Sequence, residues 1–197
     1  MSKNYFNPHA GEEGLNIKGF VELLVYQKGK LTDRITDRNI ILNQGKAETI
    51  MAYATGSSRI FARMAIGDRG ALPSNPLIPR TPEASRTGLF SEVYRQDVEV
   101  TSTTTEGGTN RILLVTTFRA LDVPTSSFTD LTNPVINELG LVMVNLSTGN
   151  PLPRVPVASP NAPDEDEALF AMRTFRTVPF EAANETAVTA RYTISIN

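Results

Sequence analysis

The sequence predicts a mainly β protein, an antiparallel β-sandwich or jelly roll with one short α-helix and long Pro-rich loops. Three observations predict it. The last segment alternates Val188, Ala190, Tyr192, Ile194 and Ile196 with Thr189, Arg191, Thr193 and Ser195, the period of two of a half-buried strand. About seven to nine such short segments, separated by turn residues, follow one another along the chain, the spacing of a sandwich or jelly roll. Only one segment, 44–55, carries helical spacing, with Ala47, Ile50, Met51 and Ala54 at i, i+3, i+4 and i+7.

Residues 1–19 read as an extended N-terminal arm. Pro8, Gly11 and Gly14 interrupt any period, and Tyr5 and Phe6 are the large apolar groups of its first eleven residues. Such a segment is either a frayed terminus or a tether that lays Tyr5 and Phe6 into a neighbouring subunit. Residues 20–197 read as a single β-sandwich domain with loops at 71–88 and 149–168. Its first unit is a hairpin over 20–42, turning at Gln27-Lys28-Gly29-Lys30, where Gly29 supplies a positive φ. The helix follows, with Asn43 placed to cap its start and Gly56 to close its end. It is expected to plug the open end of the sandwich or cover a sheet edge. Gly45 opens that helix where a side chain would crowd the turn.

A short apolar strand spans 60–67, and Asp68-Arg69-Gly70 marks a reversal. The loop at 71–88 holds Pro73, Pro76, Pro79 and Pro82, so it is excluded from the centre of a sheet. A strand is expected from Glu92 to Val100 through Tyr94 and Val98. Glu92 and Arg95, three apart in that strand, should face opposite sides and find different partners. The Thr-rich run Val100–Thr105 suits an exposed edge. Gly107-Gly108 makes a turn into a long, two-sided apolar strand, Arg111–Leu121. Val135–Asn145 is the next strand, in which Glu138 and Gly140 mark a bulge or a close backbone approach. The loop at 149–168 contains Pro151, Pro153, Pro156, Pro160 and Pro163, then the acidic run Asp164–Glu167. Leu169–Phe180 is a strand rich in phenylalanine.

Composition narrows the function. The formal net charge is -2 and the pI about 5.5, without the basic excess that neutralises phosphates, so nucleic acid is not an expected partner. There is no cysteine, which removes disulfides, thiolate metal sites and cysteine nucleophiles. No stretch reaches the roughly 20 apolar residues of a helical membrane span, and the polar N-terminus is unlike a secretory signal. The one histidine, His9, lies in the arm, a poor place for a general base. The run Asp164–Glu167 lacks the spacing and central glycine of a calcium loop. It reads as a solvated acidic loop or as an electrostatic contact with a basic neighbour. The chain has no tryptophan and five tyrosines, which counts against a glycosidase or lectin, and no P-loop pattern occurs. No catalytic, cofactor-binding or metal-ligating set is therefore expected, nor a small-molecule substrate. The expected assembly contacts are Tyr5, Phe6, Pro76, Pro79, Pro82, Pro156, Asp164 and Asp166. Pro-rich segments lose less freedom on binding than ordinary loops do.

The order of segments adds a resemblance. Asn39-Ile40-Ile41-Leu42-Asn43-Gln44-Gly45 leads into a short helix. Met64-Ala65-Ile66-Gly67-Asp68, a Pro-rich connection and Leu89–Arg95 follow. The second half has Ile136-Asn137-Glu138-Leu139-Gly140-Leu141, the Phe-rich strand and the closing strand. Over roughly residues 20–197 this resembles the virion structural proteins of tailed bacteriophages, the neck, tail, fibre or capsid-surface components. The resemblance implies a non-enzymatic structural subunit, placed at the neck, tail or fibre-attachment region and assembling through its arm and loops. Its partners would be copies of itself and other virion proteins, with no cofactor and no membrane. It would be made in the host cytoplasm and reside in the virion. The alternatives are a capsid decoration or cement protein, and a receptor- or carbohydrate-binding virion protein.

Overall fold

Strand β1 (Ile17–Gln27) turns through Lys28 and Gly29 into β2 (Lys30–Arg38). Both turn residues have positive φ, 48° and 75°, the pair of left-handed conformations that matches the twist of a two-residue hairpin. The computed structural model describes residues 17–56, 59–107, 109–145 and 167–196. Tyr5, Phe6, His9, Pro156, Asp164 and Asp166 lie outside them. The first strand begins at Ile17, so residues 17–19 pair with the last strand rather than extending the arm.

The remaining elements are β3 (Ile40–Ile41), α1 (Asn43–Thr55), β4 (Arg59–Gly67), β5 (Ala71–Leu72), β6 (Asn75–Pro79), β7 (Glu92–Asp97), β8 (Glu99–Glu106), β9 (Thr109–Arg119), β10 (Val135–Asn145), β11 (Glu167–Pro179) and β12 (Ala187–Ile196). They form two antiparallel five-stranded sheets, ordered β2-β1-β12-β9-β8 and β3-β11-β10-β4-β7, and a small β5-β6 pair. Leu23, Leu114, Phe118 and Tyr192 of the first sheet pack with Met64, Leu141 and Phe170 of the second in one core cluster. The molecule is a mainly β sandwich with one α-helix among the described residues.

The first sheet turns its other face to water. Along β12, Val188, Ala190, Tyr192 and Ile194 are buried while their neighbours are half-buried or exposed, as the alternation predicts. The segment 111–121, expected to be apolar on both sides, behaves likewise: β9 buries only Leu114, Thr116 and Phe118. Two-sided burial belongs instead to β10 and β11. A second cluster, Leu42, Ala65, Leu89, Val142, Leu169 and Met172, packs apart from the inter-sheet core, on the face of the second sheet where α1 lies.

The segment 92–100 is not one strand. At Val98 the ladder breaks and its N–H goes to the Ala62 carbonyl, 2.9 Å away. The chain thus passes from β7, an edge of the second sheet, to β8, an edge of the first. Periodicity continues across such a switch because both strands need an inward face. The Thr-rich edge is where the sequence places it, and Thr101–Thr105 are exposed.

The helix is present, but its packing face differs from the predicted one. Ile50 and Met51 are 59% and 54% exposed, and Ala47 and Ala54 are exposed with them. Gly45 is buried against β11, while Thr49 and Ala52 are half-buried. A Cβ on Gly45 would lie 2.4 Å from the Phe170 carbonyl oxygen, so the absence of a side chain lets the helix backbone touch the strand. Small residues, not the apolar stripe, decide the contact. Asn43 makes no cap: the capping position is Leu42, without a side-chain bond, and Gly56 closes the helix at φ 66°.

The loop at 71–88 contains the β5-β6 hairpin, whose prolines keep it out of the main sheets. Pro76 is exposed, Pro79 half-buried and Pro82 buried.

Candidate functional site

Three places in the described body concentrate polar chemistry or uncovered apolar surface. The first is Glu138, fully buried on β10. The β10–β11 register slips between Ile136 and Glu138, and at Gly140 a Cβ would stand 2.7 Å from the Leu169 side chain, the close approach that the glycine signals. The carboxylate accepts the main-chain N–H of Phe90 at 2.7 Å, of Ser91 at 2.8 Å and of Arg69 at 3.2 Å. Room for it comes from Gly67 and Gly70. A Cβ at Gly67 would stand 2.4 Å from Glu138 Oε1, and one at Gly70 2.8 Å from Glu138 Cβ. Beside it, Asn137 Oδ1 accepts the Gly70 N–H at 2.5 Å, and Asp68 accepts the Thr129 N–H at 2.5 Å. Burial pushes the Glu138 carboxyl up to about 7. The three backbone N–H groups pull against that rise, and the Asp68 charge adds to it. A carboxyl poised near neutrality is a common general acid or base, but here both oxygens are occupied by main-chain donors. Their effect is to fasten the reversals at 68–70 and 89–91 to the central strand.

The second place is an ion-pair network on the outer face of the second sheet. Glu167, with a side chain 3% exposed, receives Arg63 at 3.0 Å through Oε1 and Arg95 through Oε2. Arg95 also grips Glu92 with two bonds, at 2.5 and 2.9 Å, and Arg63 reaches Asp97 at 3.3 Å. Burial alone lowers the Arg95 pKa, but Glu92 and Glu167 outweigh it and hold the guanidinium above its ordinary value. Two expectations are corrected here. Glu167 does not belong to a solvated acidic loop; it begins β11 and is buried between two arginines. Glu92 and Arg95 do not seek different partners. The β4–β7 register slips between Ile66 and Gly67, where Ile66 faces Tyr94 and Gly67 faces Glu92. The extra residue reverses the facing and brings positions three apart to one side.

The third place is the proline strap. Leu77 is 67% exposed, Ile78 47% and Leu72 38%, and Leu131 is also uncovered at 60%. Leu72, Pro73 and Pro76 line an open cleft of about 740 Å³ with Arg69, Arg80 and Val135. Of the expected contacts, Pro76 lies in this patch, whereas Pro82 is turned inward. Leu77 and Ile78 went unnoticed in the sequence, although two apolar residues between prolines outside any main strand are a usable signal of exposure.

Among the described residues, no group of three or more His, Cys, Asp or Glu side chains is placed to hold a metal ion, and no helix is long and apolar enough to cross a membrane. No protein-family model, curated protein or solved structure matches the chain.

Proposed function

We propose that this chain is a structural subunit of a tailed-phage particle, of the neck, tail or fibre-attachment kind, which assembles with copies of itself and with other virion proteins. The observation that carries the assembly part is the strap: a short hairpin that leaves Leu72, Leu77 and Ile78 in water on a body whose other apolar side chains mostly pack inside. Several large apolar side chains left uncovered on one short hairpin mark an interaction site more readily than single ones scattered over a surface. The phage part rests on the resemblance of segment order alone. The buried carboxylates support a rigid body, because each is matched by main-chain donors or guanidinium groups.

Native mass spectrometry of the purified chain across protein concentration tests the reading. A discrete oligomer is expected, and Leu77→Asp with Ile78→Asp should shift it toward monomer without lowering the thermal midpoint by more than a few degrees. A ring-sized species favours a neck or tail position and a trimer a fibre or decoration role. A chain that stays monomeric at every concentration, alone and with undecorated capsids or tails, overturns it.

A further inference from the structure

We propose that the cleft where the N-terminal arm meets the body binds the arm's own acidic pair, Glu12 and Glu13. The cleft holds about 420 Å³ and is lined by Lys18, Arg38 and Lys46 with Asn39, Thr193 and Ser195. Among the described residues no acidic side chain lines it. Among the described residues none of these three cations forms an ion pair, whereas Arg34, Arg63, Arg95, Arg173, Arg176 and Arg191 all do. Lys46 also sits at the start of α1, whose first turn has no acidic residue. A lysine there meets the positive end of the helix dipole and gains nothing from it. Three like charges around one concavity, beside that dipole, form a field that a carboxylate relieves.

The occupant follows from charge and reach. Glu12 and Glu13 are the acidic residues of the first sixteen, and Gly11 and Gly14 flank them. Ile17, on the rim of the cleft, is four residues from Glu13. A tether of four or five residues spans at most about 14–18 Å, enough to fold back over a cleft of this size. So short a link also gives the arm's own pair an effective concentration in the millimolar range, which favours it over the same segment of a second copy. Docking there sets the direction in which the preceding residues, Tyr5 and Phe6 among them, leave the body. The inference does not need the assembly reading: a monomer can show it.

Hydrogen exchange on the full chain, followed across protein concentration and salt, tests it. Residues 12–16 are expected to exchange more slowly than in a free peptide at low salt. Lys18→Glu with Lys46→Glu should remove about tenfold of that protection, and adding Glu12→Lys and Glu13→Lys should restore it. Both cation sites are exposed, and a thermal melt of each variant checks that the body is intact. Free-peptide exchange in the wild-type chain, or protection unchanged by the charge reversal, overturns the proposal. Protection that grows with protein concentration would give the cleft to a second copy and overturn the assignment to the chain's own arm.

Discussion

The two sheets have five strands each and share one core, yet they handle their second faces differently. The first sheet leaves that face in water. Its charged groups, such as Glu22 with Arg34 and Arg191, sit where the arginine side chains remain 64% and 47% exposed. The second sheet is covered by α1 and by the 80–91 segment, and two of its carboxylates are closed in: Glu138 under three amides, Glu167 between two guanidinium groups. Arg80 and Arg86 complete that cover by stacking on Phe90, with centroid distances of 4.9 and 3.8 Å. The difference shows that an interior carboxylate is kept where each of its oxygens has a donor. An exposed face asks for much less, because water supplies the rest.

Replacing side chains on each face would break or sharpen this contrast. Tyr192→Asp should have the largest effect. Tyr192 is fully buried in the inter-sheet core, its hydroxyl accepts from Asn39 Nδ2 at 2.5 Å, and burial raises its pKa above the usual range. An unpaired carboxylate at that depth should cost about 4 kcal/mol or more, and thermal melting should lose its cooperative transition; an unchanged midpoint would place Tyr192 on the wrong face. Next is Glu167→Ala, which takes from the buried Arg63 and Arg95 the carboxylate they share and leaves them Asp97 and Glu92 respectively. It should cost about 3–5 kcal/mol in denaturant titration, against about 1–2 kcal/mol for Glu22→Ala on the first sheet, where the carboxylate is covered but water still reaches both of its arginines. Equal losses would abolish the distinction between the sheets.

Gly45→Ala should cost about 1–3 kcal/mol, because the added methyl meets the Phe170 backbone rather than a side chain that can move. Ile50→Ala on the open side of the same helix should stay within about 0.5 kcal/mol. Glu138 provides a pH test. Its folded value, about 7, lies above the ordinary 4.5, so its contribution to stability is fully present below about 4.5 and is lost as pH rises through 7. The denaturation midpoint of the wild type should therefore fall between pH 5 and pH 8 relative to Glu138→Gln. That variant should itself be weaker at pH 5, because its amide turns a donor toward a main-chain N–H. A parallel pH profile in both proteins would mean that Glu138 is not the group responsible. The smallest effect belongs to Thr103→Lys on the β8 edge: stability within about 0.5 kcal/mol, with less edge-to-edge association in sedimentation if that edge meets another strand.

Much of the fold was legible because alternation is strongest where one face meets water. The β1-β2 turn at Lys28-Gly29, β12 and the Thr-rich edge read directly. The second sheet was harder. In β10 and β11 both faces are buried, so apolar residues run on without a period, and the bulges that turn Glu138 and pair Glu92 with Arg95 leave no mark in spacing. The strap read as excluded from the sheets, while its uncovered Leu77 and Ile78 did not read as a surface. Glu167 carried the same acidic signal as its neighbours, and only its position at the head of a central strand separates it from them.

By itself the sequence determined the class of the protein: a period of two, turn glycines with positive φ, prolines barred from sheet interiors and a single helical spacing are all local demands of the backbone. Tertiary structure alone decided which face each element buries. The helix turned its apolar stripe outward because Gly45 brings its backbone against β11. One apparent strand divided between two sheets at Val98. The charges of Glu138 and Glu167 became interior because distant segments supplied their partners. Each of these outcomes depends on contacts between residues far apart in the chain, and local periodicity carries no record of them.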